Sequence, residues 1–170
     1  MPDHERCDAC RFDGATYHDA ELLASFRLLG SRWRALLESS GSELRLRPAP
    51  EVWSAIEYAE HTRDIVALHV YGVKEALTGT EPVLPPVDPG LADAAAVAYG
   101  DADPGLVAGE IETQASRLAA LAEDAGTSAW SRGITLGDDR VEVRRMLEHA
   151  LHDALHHLDD VERGLAQLRP

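Results

Sequence analysis

From Asp19 to Ser39 the apolar residues Leu22, Leu23, Phe26, Leu29, Trp33, Leu36 and Leu37 return every three or four positions. That is the period at which side chains share one face of an α-helix. "GSELRLRPAPE" interrupts the pattern. A second helical stretch runs from about Glu51 to Leu77, with Pro50 and Ser54 near its start. A third begins at Asp103-Pro104, a helix-capping residue followed by proline at the first helical position, and reaches about Asp124. The fourth starts between Asp138 and Val141 and ends near Leu168. Strand signals are nearly absent: aromatic residues make up only 5% of the chain, and β-branched residues do not alternate with polar ones. Four amphipathic helices of this length predict an all-α fold, a four-helix bundle. The link "GTEPVLPPVDPG" and the alanine-rich run to Gly100 make a long crossover between helices 2 and 3, with room for one short helix.

With 170 residues, 45% of them apolar, the chain suffices for one domain with a real core. Residues 1–18 read as an N-terminal Cys-x-x-Cys segment, and 19–170 as the bundle. The net charge of −14 repels phosphate backbones and anionic lipid surfaces, so no nucleic-acid and no membrane partner is expected. No apolar run approaches the roughly 18 residues of a membrane span. "MPDHERCDAC" lacks a basic-then-apolar signal pattern. A cytoplasmic location is the expectation. In a reducing compartment the single cysteine pair, Cys7 and Cys10, reads as metal-binding or redox-active rather than as a structural disulfide.

The densest chemistry lies in "EHALHDALHHLDD", residues 148–160, which holds His149, His152, His156 and His157 with three aspartates. Helical phase divides it, because residues four apart lie about 40° apart around the axis. Met146, Leu147, Ala150, Leu151, Ala154, Leu158, Val161, Leu165 and Leu168 form one apolar stripe. His157 lies within the stripe, and Asp153 lies at its edge one turn earlier. His152 and His156 form another i, i+4 pair on nearly the opposite face, and His149 also points away. On the second helix His61 shares a stripe with Ile65, Leu68 and Gly72. A buried carboxylate needs a partner or a metal. His61, Asp153 and His157 therefore read either as a two-histidine, one-carboxylate metal set with open positions or as a hydrogen-bonded core His–Asp pair.

"WSAIEYAEHTRDI", followed far downstream by "HDALHHLDDV", resembles the DinB-like superfamily, particularly its actinobacterial members. These include mycothiol-dependent maleylpyruvate isomerase, mycothiol and bacillithiol S-transferases, and the N-terminal domain of the ergothioneine sulfoxide synthase. The resemblance spans about residues 19–168. It implies a four-helix bundle holding a divalent metal, usually zinc or nickel, with iron in the ergothioneine branch. The implied ligands are a histidine on the second helix and a [His/Glu]-x-x-x-His pair on the fourth. The first falls on His61, and the last on His157, followed four residues later by the aliphatic Val161. The remaining ligand then falls on Asp153, a departure from His or Glu. A register slip of one residue would instead select His152 and His156. The implied activity is S-transfer or isomerisation: a low-molecular-weight thiol of the mycothiol type is the co-substrate and a small electrophile its partner.

The family pattern does not require His152 and His156. With Cys7 and Cys10 they supply Cys2His2, the ligand set of a closed structural zinc site. Redox use of the cysteines, or two free thiols, are the other readings. Trp53 and Trp130 either line a pocket or pack. Arg63, Arg144 and Arg145 either hold a substrate carboxylate or pair with the many acids. No Gly-x-Ser-x-Gly, phosphate-cradling glycine loop or dinucleotide fingerprint occurs. The main expectation is thus a metal-dependent thiol S-transferase or isomerase. A non-enzymatic metal-binding or stress-response bundle, dimeric through its outer faces, is the alternative. A metal-dependent hydrolase or cyclase is a third reading.

Overall fold

The computed structural model describes residues 4–86 and 97–169. Four long helices dominate them: α1 (Asp19–Ser39), α2 (Ala55–Thr78), α3 (Pro104–Ala125) and α4 (Val143–Leu168). Their starts are chemically marked. At α1 the backbone N–H of His18 donates to the Glu21 carboxylate at 3.0 Å. At α2, Ser54 donates to Glu57 from both its backbone N–H (2.8 Å) and its hydroxyl (2.7 Å). At α3 the Asp103 side chain accepts from the Leu106 N–H at 2.9 Å, ahead of Pro104 at the first helical position. Each cap satisfies a helix-end group that has no partner within the helix.

Ion pairs along the helix faces give the packing order. α1 packs on α3 antiparallel, with Arg27 pairing Glu123 and Arg34 pairing Glu112. α3 runs parallel to α2: Arg63 pairs Glu110 near their starts, and Arg132, beyond α3, donates to Ala76 O near the end of α2. α2 packs antiparallel on α4, where Gly72 faces Met146 and Tyr58 faces His157. α4 closes the ring parallel to α1, through Arg144–Asp19 at one end and Arg169 to Ser39 O at the other. The order around the bundle is α1–α3–α2–α4. Because α2 and α3 run the same way, the chain between them must cross the full length of the bundle, as the long link requires. The expected short helix in that link lies mostly outside the described residues.

Trp33, Phe26, Leu22, Leu29, Ile56, Val66, Val73, Ile111, Leu118, Leu147 and Leu151 fill the core with essentially no exposure. The α2 face differs from the sequence reading. Its core stripe is Ile56, Ala59, Val66, Val70 and Val73, while Leu68 is exposed. His61, Ile65 and Gly72 lie on the flank turned toward α4, so His61 stands at the rim of the core.

Short strands accompany the helices. β1 (Arg6–Cys7) pairs with β2 (Phe12–Asp13) in an N-terminal hairpin. β3 (Val83–Leu84) lies parallel to β4 (Gly133–Leu136), which pairs antiparallel with β5 (Asp139–Glu142). The β4–β5 turn is two residues long, with Gly137 at φ +60°, a conformation glycine adopts without strain. This hairpin occupies the ground where the fourth helix was expected to begin, and α4 starts only at Val143.

Candidate metal centre

α2 and α4 cross so that His61, Asp153 and His157 converge. One donor atom from each lies within 4.8 Å of the other two. Asp153 Oδ1 is 3.5 Å from His157 Nε2, and Asp153 Oδ2 is 3.9 Å from His61 Nε2. The Oδ2 atom is buried and has no hydrogen-bond partner. Such an atom is costly to keep unless something binds it. His157 Nδ1 lies 3.1 Å from Asp160 Oδ2, and donating there leaves Nε2 to face Asp153 and His61. A carboxylate behind a ligating imidazole is the usual orienting partner in metal sites.

The electrostatics follow from this packing. Burial pushes the His61 imidazole pKa down, against the opposing pull of Asp153. Burial also works against charge on His157, but the Asp153 and Asp160 carboxylates outweigh it and raise its pKa. Burial of Asp153 opposes its ionisation, yet its hydrogen bond and charge interaction with His157, helped by His61, hold its pKa below the usual carboxylate range. His61 therefore offers a neutral lone pair beside an ionised carboxylate. Two imidazoles and one carboxylate fit a divalent transition ion with positions left over.

Aromatic rings wall the triad. Trp53 stands edge-on to His61 at 5.2 Å between ring centres, Tyr58 lies 5.0 Å from His157, and Tyr99 lies 6.5 Å from His61. Tyr99 donates its hydroxyl to Asp64 at 2.8 Å. The three candidate ligands keep 16%, 22% and 17% of their side-chain surface exposed, so the recess is not sealed. A cleft of about 520 Å³ lined by Cys10, Tyr17, Arg32 and Asp159 contains none of the triad. The candidate centre is marked by its donor geometry, not by cleft size.

His152 and His156 face away from His61, so they do not take the triad's place by a register slip. They meet Cys7 and Cys10, and one donor atom from each of the four lies within 4.8 Å of the rest. Arg63 pairs with Asp64 and Glu110, Arg144 with Asp19 and Glu148, and Arg145 with Glu5. All three cations are thus engaged with acids of the protein. Trp130 is 3% exposed and donates its indole N–H to Ala122 O, a packing role.

Four participants escaped the sequence reading. Asp160 carried a signal, since it lies three residues after His157 and four after His156. Glu148 carried a weaker one, lying one turn before His152 and one turn after Arg144. Glu5 and Tyr99 carried none, because only the tertiary fold brings the N-terminal segment and the crossover to these sites.

A four-helix bundle with converging side chains that could hold a metal ion defines the class. The chain belongs to the DinB superfamily, whose sequence profile matches residues 20–161. No curated protein matches the chain. Among solved structures it is similar to YfiT from Bacillus subtilis, described as "a probable metal-dependent hydrolase with an unusual four-helix bundle topology". That likeness has a TM-score of 0.77 and 14% identity, and covers 99% of this chain and 93% of that one. At this identity it speaks to the fold.

Proposed function

We propose that the protein is a metal-dependent enzyme that binds a divalent ion through His61, Asp153 and His157 and transfers a small thiol to an electrophile. The observation that carries the metal proposal is the buried, unpartnered Asp153 Oδ2 set between two imidazole Nε2 atoms. A divalent ion bound there supplies Lewis acidity that lowers the pKa of a bound thiol or water. The chain's own residues do the rest. Asp160 fixes the tautomer and orientation of His157. Trp53, Tyr58 and Tyr99 wall the recess with apolar surface that excludes water from around an incoming sulfur. In the transfer, the thiol gives up its proton to solvent, its sulfur bonds to the electrophilic carbon, and the leaving group departs with the bonding electrons. Thiol as co-substrate rests on the resemblance to mycothiol-using enzymes. A second reading, hydrolysis with water in place of the thiol, is favoured by the description given to YfiT.

The test is a conjugation assay with mycothiol and a chromogenic electrophile, run beside an ester and amide hydrolysis panel. Wild type and His61→Ala are compared in both. Conjugation that requires His61 supports thiol transfer. His61-dependent hydrolysis without conjugation selects the second reading. Equal rates in wild type and variant remove the triad from catalysis altogether.

A further inference from the structure

The geometry points to a second metal site, a closed structural zinc site of Cys7, Cys10, His152 and His156 that fastens the N-terminal hairpin to the outer face of α4. The hairpin places both sulfurs on one side of a tight reversal. Cys7 ends β1 opposite Phe12, and Arg11 takes a left-handed φ of +61° to turn the chain back. Opposite the sulfurs, His152 and His156 lie one helical turn apart with ring centres 5.5 Å apart. His156 Nδ1 is already 3.7 Å from Cys7 Sγ.

His152 is prepared by its surroundings. Its Nδ1 lies 2.9 Å from Glu5 Oε1, and donating there leaves Nε2 as the free lone pair. That Nε2 is buried and has no hydrogen-bond partner. Glu5 is 7% exposed and is itself held by Arg145. His156 turns Nδ1 to the sulfur, and its Nε2 lies 3.6 Å from Asp160 Oδ2, a charge contact longer than a hydrogen bond. His152 thus has a carboxylate behind it and a free nitrogen in front, the arrangement in which ligating imidazoles are held. In a tetrahedral S2N2 site, ligand atoms stand about 3.3–3.8 Å apart, from metal–ligand distances of about 2.3 Å to sulfur and 2.0–2.1 Å to nitrogen. The four donor atoms lie within 4.8 Å of one another, so side-chain adjustments of about an ångström or less reach this.

The donor set also selects the ion. Two thiolates and two imidazoles suit zinc and exclude magnesium, calcium and manganese, which prefer oxygen. Binding releases the two thiol protons, and the two thiolates cancel the charge of the ion. The resulting neutral centre tolerates the apolar cover of Phe12, whose ring lies 5.2 Å from His152, and Tyr17 stacked on it. A competing set of Glu5, His149 and His152 shares His152. It offers three donors rather than four, and its carboxylate is already committed to Arg145 and His152. Four protein ligands leave no open position, so this site is structural, and its role is to hold residues 4–18 on α4.

The test uses the full reduced chain, stripped of metal and titrated with Co²⁺ and then Zn²⁺. Tetrahedral ligand-field bands with thiolate-to-cobalt charge transfer, bleached by zinc, are expected. They should vanish in Cys7→Ser/Cys10→Ser, which binds one zinc fewer per chain, and persist in His61→Ala. Zinc should also slow alkylation of both cysteines in the wild-type protein by about tenfold or more. That readout stands even where the double variant fails to fold. Absence of thiolate bands, alkylation indifferent to zinc, or a Cys7–Cys10 disulfide that forms in the presence of zinc overturns the site. Loss of thiol-transfer activity in His61→Ala alone would bear on the interior centre and leave this one standing.

Discussion

Glu148 ties the N-terminal segment to the bundle, and Glu148→Ala should show how strongly. The carboxylate is completely buried. It accepts from Arg144 Nε at 2.6 Å, from the Glu5 backbone N–H at 2.9 Å, and from His4 Nδ1 at 2.8 Å. Gly14 packs directly against it: a Cβ there would stand 2.5 Å from the carboxyl carbon. Breaking a buried pair by removing one partner costs about 3–5 kcal/mol. Arg144 keeps Asp19 and the carbonyls of Gly14 and Tyr17, so the lower end, about 3 kcal/mol, applies. For a chain of 170 residues that lowers Tm by about 6–12 °C. Glu148→Gln keeps one acceptor oxygen but sets an NH2 against a donor on the other side, and should cost about 1–3 kcal/mol. Urea unfolding of metal-free protein, followed by circular dichroism, measures both. The Ala variant should also bind zinc more weakly at the cysteine site, because Glu5 loses its anchor, with the interior centre unaffected. An Ala variant within about 1 kcal/mol of wild type would show instead that this buried network contributes no more than a surface pair.

Asp160→Asn removes the carboxylate behind His157, and metal affinity at the interior centre should fall about 10–100-fold by calorimetry. Partly buried His69, bonded through Nδ1 to Ile65 O at 2.8 Å, has its pKa pushed by burial down to about 4. The unfolded chain then binds the extra proton, so metal-free stability should fall as pH drops from about 6.5 toward 4, by at most about 3 kcal/mol. His69→Gln should flatten that decline in urea titrations at pH 7 and 4.5, chosen about the two ends of the window. Gly30→Ala would put a Cβ 2.6 Å from the Glu112 Cα where α1 crosses α3. A cost of about 1–3 kcal/mol is expected in thermal unfolding.

The bundle was legible because its signals are local. The heptad-like returns of Leu22, Phe26, Leu29 and Trp33, and of Leu147, Leu151, Ala154 and Leu158, depend only on helical geometry, and these residues are buried. Asp103-Pro104 marks the start of α3 within the residue. The split of the histidine cluster into two faces follows from the same phase. The β4–β5 hairpin escaped because four-residue strands are too short to establish alternation, although Gly137-Asp138 between Ile134 and Val141 carried a turn signal. The stripe on α2 departs from the expectation at Leu68, which is exposed, whereas Gly72 is buried against Met146 of α4 and Ile134. Glu5, Glu148 and Tyr99 depend on contacts between segments far apart in sequence, which no local pattern encodes.

On the reading proposed above, α2 and α4 together hold a divalent ion. Calorimetric titration of Zn²⁺ and Ni²⁺ into metal-free Cys7→Ser/Cys10→Ser protein isolates that centre. One ion per chain should bind, and adding His61→Ala should weaken binding by about 100-fold or more, about 2.7 kcal/mol. Binding of the same strength with and without His61, or no binding to the cysteine-free chain, would contradict it.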